Sequence, residues 1–390
     1  MLEFHPNRSE TTLNRREFAR LLLGAGLCLP AISLLSGCSD QRRNIVFPES
    51  DWLLESPEDH GYSSEKLQAC MDWLIESLKK EDQDATEVTV VKDGHMIMHA
   101  VHNEDVTRAE PVMSIGKSLY TGMLGIALAE KAIGSLDDPV LDYFPKLQEA
   151  RGIHAIRLEE QLEFRDKDRA ITFRHLASQT YGSFSPNRQP GEHWRYGSLG
   201  MTVLMHAVAT ALGYYDPDDP ELNGGSGQLI EERIRNPIGA DWGWTYHSWK
   251  THENSLIEVT GNFLLFIMTN LDRARLGTFW LAKGRWKDQQ IIPEAWHREC
   301  TRVPDVVKQA TRREENHIYG YGFWTNSEGR LWSKLPTDSY LSAGHVSQKI
   351  WVCPSEGLVV AMRCDRDHGR FVDNVRDGEF FEKILASQVT

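Results

Sequence analysis

Ser114-Ile115-Gly116-Lys117 sets a hydroxyl and an amine three residues apart, just ahead of an apolar run from Leu119 to Ala132 with helical periodicity. On a helix, residues at that spacing share a face, so the lysine amine can reach the serine oxygen. Serine is a weak nucleophile until a base takes its proton. A lysine does so only when neutral, which requires its pKa to fall from ~10.4 toward ~7–8 through burial or neighbouring charge. A helix start also favours a developing alkoxide and offers backbone N–H donors. Met113, Ile115 and Leu119 supply the apolar surround. The same spacing recurs in Ser63-Ser64-Glu65-Lys66 and Ser77-Leu78-Lys79-Lys80, where charged neighbours predict solvated lysines instead.

The elements that must position this pair are legible as periodic segments. Leu67, Met71, Leu74, Ile75 and Leu78 form a helical stripe over Ser64 to Leu78, capped by Ser63 or Ser64. Thr89 to Lys92 and His95 to Met98 read as a hairpin closed by Asp93-Gly94. Helical patterns cover Leu119 to Ala132, Met201 to Leu212 and Asn262 to Leu281. A second hairpin joins Lys349–Cys353 to Leu358–Met362 through Pro354-Ser355-Glu356-Gly357, and a helix from Val372 to Leu385 follows. Strands at both ends with helices between predict an α+β fold: an antiparallel sheet built from both termini, flanked by helices, plus a mainly helical inserted region. The sheet region is read as 60–113 and 338–390, the helical region as 114–337, within one domain spanning 60–390.

Composition narrows the chemistry. The chain has 390 residues and a net charge of −13, without a Lys/Arg block, which disfavours nucleic acid as a partner. Its 15 histidines show no H-E-x-x-H and no ligand cluster, so metal catalysis is not indicated. Asn223-Gly224-Gly225-Ser226-Gly227 lacks the lysine of a phosphate-binding loop, and no cofactor is expected. Cys70, Cys300, Cys353 and Cys364 have no CxxC spacing and read as isolated buried thiols.

Three ordered segments carry a family resemblance. The first runs from Ser114-Ile115-Gly116-Lys117-Ser118 through Ala132-Ile133-Gly134-Ser135-Leu136-Asp137-Asp138-Pro139-Val140. The second, Ile171-Thr172-Phe173-Arg174-His175-Leu176-Ala177-Ser178-Gln179-Thr180-Tyr181-Gly182, looks like an "ITxRHLLTHTSG" stretch. The third, Pro190-Gly191-Glu192-His193-Trp194-Arg195-Tyr196-Gly197-Ser198, looks like a "PGxxxxYSN" segment. Together they resemble the β-lactamase-like serine hydrolases, over roughly residues 60–385. Within that superfamily the chain is similar to class C β-lactamases, family VIII esterases and 6-aminohexanoate-dimer hydrolases. Thr269 to Gly277, Gly284-Arg285-Trp286 with Ile291 to Trp296, and Gly344-His345-Val346-Ser347-Gln348 favour the last group.

The resemblance implies a β-lactamase/penicillin-binding-protein transpeptidase-like fold with Ser114 as nucleophile and Lys117 and Tyr196 as the acid/base pair. A phenol beside a lysine ammonium is expected to have its phenolate favoured. Backbone N–H groups of Ser114 and His345 are implied as oxyanion donors, Ser198 and Gly344 as substrate contacts, and Tyr181 and Trp194 as pocket lining. Two positions depart from the family pattern. Ser198 stands where β-lactamases commonly carry asparagine, and the Lys-Thr-Gly strand lacks its lysine. Either Ser342-Ala343-Gly344 or Ser339-Tyr340-Leu341 fills that strand, and the former is preferred because glycine permits close backbone approach. The implied substrate is a small ester or linear amide, attacked to give an acyl-Ser114. The alternatives are a β-lactamase or D-amino-acid peptidase acting on cell-wall-type substrates, and an inactive lipid-anchored binding protein of the same fold.

The N-terminus reads as an export signal. Asn14-Arg15-Arg16-Glu17-Phe18 precedes an apolar run, Leu21 to Leu35, that is interrupted by Pro30 and shorter than the ~20 residues of a membrane span. The arginine pair resembles a twin-arginine signal over residues 1–37, and Leu35-Ser36-Gly37-Cys38 resembles a lipobox with Cys38 lipidated. Polar residues 38–59 then form a tether. The expected location is periplasmic, anchored to the outer membrane through Cys38. A plain secretory signal or an amphipathic helix is the alternative.

Overall fold

The apolar alternation at the two ends of the chain builds one sheet. The computed structural model describes residues 43–80, 85–103, 108–153, 161–218, 224–247, 263–311, 313–314, 317–345, 347–364 and 374–389. The signal at 1–37, Cys38 and tether residues 39–42 lie outside the described residues, whereas 43–59, also read as tether, is pinned to the domain: the Val46 N–H donates to the Asp93 carbonyl at 2.9 Å and Arg275 donates to the Glu49 carbonyl at 2.8 Å. In chain order the first strands are β1 (Thr86–Lys92), β2 (His95–His102), β3 (Glu110–Pro111), β4 (Arg151–Ile153), β5 (Gln161–Glu163), β6 (Gly243–His247) and β7 (Phe263–Met268). The rest are β8 (Arg285–Trp286), β9 (Gln289–Gln290), β10 (Trp324–Thr325), β11 (Tyr340–Gly344), β12 (Gln348–Cys353) and β13 (Leu358–Cys364). The main sheet is antiparallel with order β10-β11-β12-β13-β1-β2, so the C-terminal hairpin sits beside the N-terminal one. Asp93 (φ 49°) and Gly94 (φ 94°) both take the left-handed conformation that a tight hairpin turn demands.

Both faces of this sheet are covered. Successive side chains of a strand point to opposite faces. Ile350, Val352, Val359 and Ala361 therefore enter one core, while Trp351, Leu358, Val360 and Met362 enter another. The second core is closed by helix α1 (Ser64–Lys79) and the C-terminal helix Asn374–Leu385, with Trp351 stacked on Phe381 at 4.6 Å. Ser63 is the cap of α1, accepting from the Lys66 N–H at 3.3 Å. The first core holds α2 (Gly116–Ala129), α3 (Phe173–Ala177) and α4 (Leu199–Ala211). Helix α2 is buried from Gly116 through Ala127, so it passes through the interior rather than over the surface.

One segment departs from its sequence reading. Asn262 to Leu281 is not a single helix: Phe263–Met268 is strand β7, and a helix begins at Asn270. A short apolar run does not distinguish strand from helix by periodicity. The boundary is set by a capping box, in which Thr269 Oγ1 accepts from the Asp272 N–H at 3.1 Å and Asp272 accepts from the Thr269 N–H at 3.1 Å. Strand β7 pairs with β6 and β3 in a second, three-stranded sheet, so the stretch read as helical also carries strands.

Buried polar contacts lock the sheet to the segment that leads into α2. Arg363 pairs with Glu87 and Glu110, each at 2.9 Å. Arg273 donates to Gln348 at 2.6 Å, and Gln348 donates to the Pro111 carbonyl at 2.7 Å. The cysteines Cys70, Cys300, Cys353 and Cys364 are free and buried. Among the described residues no helix is long and apolar enough to cross a membrane.

Candidate active site

Ser114 lies on a short 3-10 turn, Met113–Ile115, that runs directly into α2. The turn is held from behind, because Pro111 pairs with Ile267 in β7 and the Val112 N–H donates to the Phe266 carbonyl at 2.8 Å. Met113 is left-handed at φ 50°, a conformation that costs a residue with a side chain ~1 kcal/mol or more and persists only where its surroundings impose it. The consequence is a serine whose side chain faces Lys117, one helical turn further on.

Lys117 is 1% exposed. Its Nζ lies 2.7 Å from Ser114 Oγ and 3.3 Å from Ser198 Oγ, and 4.9 Å from the centroid of the Tyr196 ring. Burial lowers its pKa from 10.5 to about 7, since an ammonium loses its hydration there. Tyr196 moves the other way. Burial pushes its phenol well above 10, although a hydrogen bond with Ser114 acts to lower it. Burial thus works against the expected phenolate, because a low dielectric disfavours the charged form of the phenol as it does that of the amine.

Strand β11 closes the opposite side. A Cβ on Gly344 would fall 2.2 Å from the Val112 carbonyl oxygen, so only glycine fits beside the turn that carries Ser114. Ser342 Oγ lies 2.7 Å from Ser118 Oγ, on the first turn of α2. Ser342-Ala343-Gly344 thus runs alongside the candidate nucleophile, whereas Ser339 Oγ donates to the Pro336 carbonyl. His345 follows Gly344 at the end of β11 and is half-buried.

Aromatic side chains wall the site next to Tyr196. Tyr319 meets its ring edge-on at 5.6 Å, and Trp324 lies 5.1 Å away. Trp194 is half-buried and packs on Tyr319 at 6.0 Å. Tyr181 lies deeper, 3% exposed, with its ring beneath the start of α4: a Cβ on Gly200 would be 2.5 Å from it. It supports the Ser198 turn from the core.

Three residues at the site escaped the sequence reading. Tyr319 and Trp324 belong to Tyr319-Gly320-Tyr321-Gly322-Phe323-Trp324, whose alternation of aromatic residues with glycine was the available signal. The third is Gln179, left-handed at φ 65° and 1% exposed. Its carbonyl accepts from the Arg195 N–H at 3.0 Å, and its side-chain oxygen accepts from the Gly197 N–H at 3.1 Å. It therefore grips the chain on both sides of Tyr196. The other two Ser-x-x-Lys tetrads do not form such pairs. Ser63 caps α1, Ser77 Oγ donates to the Trp73 carbonyl, and Lys66 and Lys80 are exposed.

The fold that carries this site is similar to known folds. The Beta-lactamase family model matches residues 76–379. A penicillin-binding protein homolog from Caulobacter crescentus is similar in structure, with a TM-score of 0.60 at 12% identity, covering 84% of this chain and 99% of that one. Simvastatin synthase from Aspergillus terreus gives a TM-score of 0.59 at 14% identity, covering 83% and 98%. A family VIII carboxylesterase gives 0.58 at 14% identity, covering 84% and 99%. No curated protein matches the sequence.

Proposed function

Because the chain belongs to the beta-lactamase family, whose members are generally serine hydrolases, we propose that it hydrolyses a small ester or linear amide through an acyl-enzyme on Ser114. The observation that carries this reading is the contact of 2.7 Å between Ser114 Oγ and a buried Lys117 amine whose pKa is about 7. Neutral Lys117 takes the Ser114 proton as Oγ attacks the acyl carbon. The oxyanion is received by the backbone N–H groups of Ser114 and His345. When the tetrahedral adduct collapses, the leaving group takes the Tyr196 phenolic proton, and Lys117 returns its proton to Tyr196. Water then reverses the sequence: it loses a proton to the same pair, attacks the acyl carbon and frees Ser114.

The substrate class rests on the β11 side of the site. Ser342 brings no positive charge where a β-lactam carboxylate would need one, its hydroxyl being engaged with Ser118, and half-buried Trp194 and Trp324 present apolar faces backed by the buried Tyr319. His345 is the feature that favours the alternative of a β-lactam or D-amino-acid peptide, since its side chain stands next to Gly344 at the end of β11. We also propose export and lipid anchoring at Cys38, on the strength of the N-terminal sequence alone. Substituting Ser114→Ala is expected to abolish hydrolysis of p-nitrophenyl esters while the circular dichroism spectrum is unchanged. Undiminished turnover in that variant would overturn the assignment.

A further inference from the structure

The fold gathers a second cluster of chemically capable side chains far along the sheet from Ser114. Glu55 lies in the segment leading to the 3-10 turn Pro57–His60, which ends in His60; His95 opens β2. Strand β2 is at the opposite edge of the sheet from β10 and two strands outside β13. No sequence spacing marked these residues as a set.

The backbone fixes them together. The Glu55 N–H donates to the Met96 carbonyl at 2.9 Å, which sets Glu55 beside His95. The Glu55 carboxylate then reaches both imidazoles, with Oε1 at 2.8 Å from His95 Nδ1 and Oε2 at 2.8 Å from His60 Nε2. The rings are 4.4 Å apart and tilted by 32°, and the ligand-capable atoms all lie within 4.8 Å of one another. The side chains of His60, His95 and Glu55 are 15%, 26% and 40% exposed, so an ion can reach them from solvent.

From this donor set we infer that Glu55, His60 and His95 bind one divalent transition-metal ion of the zinc class, with water completing the coordination. Two imidazole nitrogens and one carboxylate oxygen suit such an ion, whereas calcium and magnesium prefer all-oxygen sites. The fit needs side-chain adjustment, because ligand-capable atoms standing as far as 4.8 Å apart must close while the Glu55 contacts open. Ligand atoms around a tetrahedral zinc with ~2.0 Å bonds stand ~3.3 Å apart, so the contacts of 2.8 Å must widen by about half an ångström. A carboxylate oxygen only accepts, so the ion takes the place of the ring hydrogen in each of these contacts. The ion would staple the segment around Glu55 to the β1–β2 hairpin, and the site takes no part in chemistry at Ser114.

The test uses the full chain, without a histidine tag and stripped by chelator. Zinc is titrated in competition with a chromophoric chelator, and cobalt(II) is titrated while its visible absorption is followed. One zinc per chain, a cobalt absorption displaced by zinc, and a melting temperature raised by saturating zinc are expected. His95→Gln and Glu55→Gln should each weaken zinc binding by about 10- to 100-fold while ester hydrolysis remains at the parent rate, which also shows that both variants fold. Absence of stoichiometric zinc binding would overturn the inference, and so would equal affinity in the parent and both variants.

Discussion

At the scale of single residues, burial does most of the chemical preparation. Loss of hydration on burial brings Lys117 down to about 7. The same burial weighs on stability. A lysine whose folded pKa is depressed destabilises the fold fully below about pH 7, and the penalty fades as pH rises toward its ordinary 10.5. For catalysis the sign is direct: the neutral amine is the base, so activity should rise with pH through about 7 and then level off. One pH unit below that point, about a tenth of the lysine is neutral, and kcat/KM should be about tenfold below its plateau. A pH–rate profile with an ester whose own hydrolysis is subtracted checks this. A profile flat between pH 5.5 and 8 would contradict the assigned base.

At the scale of elements, the site depends on segments pinned by neighbours distant in sequence. Gln179 holds Arg195 and Gly197 and so places Tyr196 between them. In Gln179→Ala the side-chain acceptor is lost, and a displaced phenol should lower kcat by up to about a hundredfold with KM little changed. Gln179→Glu keeps an acceptor oxygen and should recover most of that loss. Equal changes in kcat and KM, or no recovery with glutamate, would reduce Gln179 to a packing role. This contact also shows what the sequence concealed. The Ser114–Lys117 pair was legible because both residues share one helix face and one apolar surround. The two hairpins were legible because Asp93-Gly94 and Gly357 mark their turns. Gln179, Tyr319 and Trp324 act only through tertiary approach, which no local period encodes. Strand β7 was absorbed into a helix because six consecutive apolar residues satisfy either reading, and only the Thr269–Asp272 box separates them.

At the scale of the whole molecule, the chain joins a sheet made from both termini to a buried helix that carries the reactive pair, and α1 and the C-terminal helix close the far face. The N-terminal sequence adds an expected tether to a membrane. Cys38→Ser should move the protein from the membrane fraction to the soluble fraction of a bacterial host without lowering its hydrolytic activity, as read by fractionation and immunoblotting. Retention in the membrane would remove the lipid anchor and leave the catalytic account intact. A covalent bond at Ser114 is the step that distinguishes an acyl-enzyme from any other route. Intact-protein mass spectrometry after exposure to a fluorophosphonate should show a single phosphonyl increment, mapped to Ser114 by peptide fragmentation and lost in Ser114→Ala. An increment that persists in Ser114→Ala, or a hydrolytically active protein that takes up none, would contradict it.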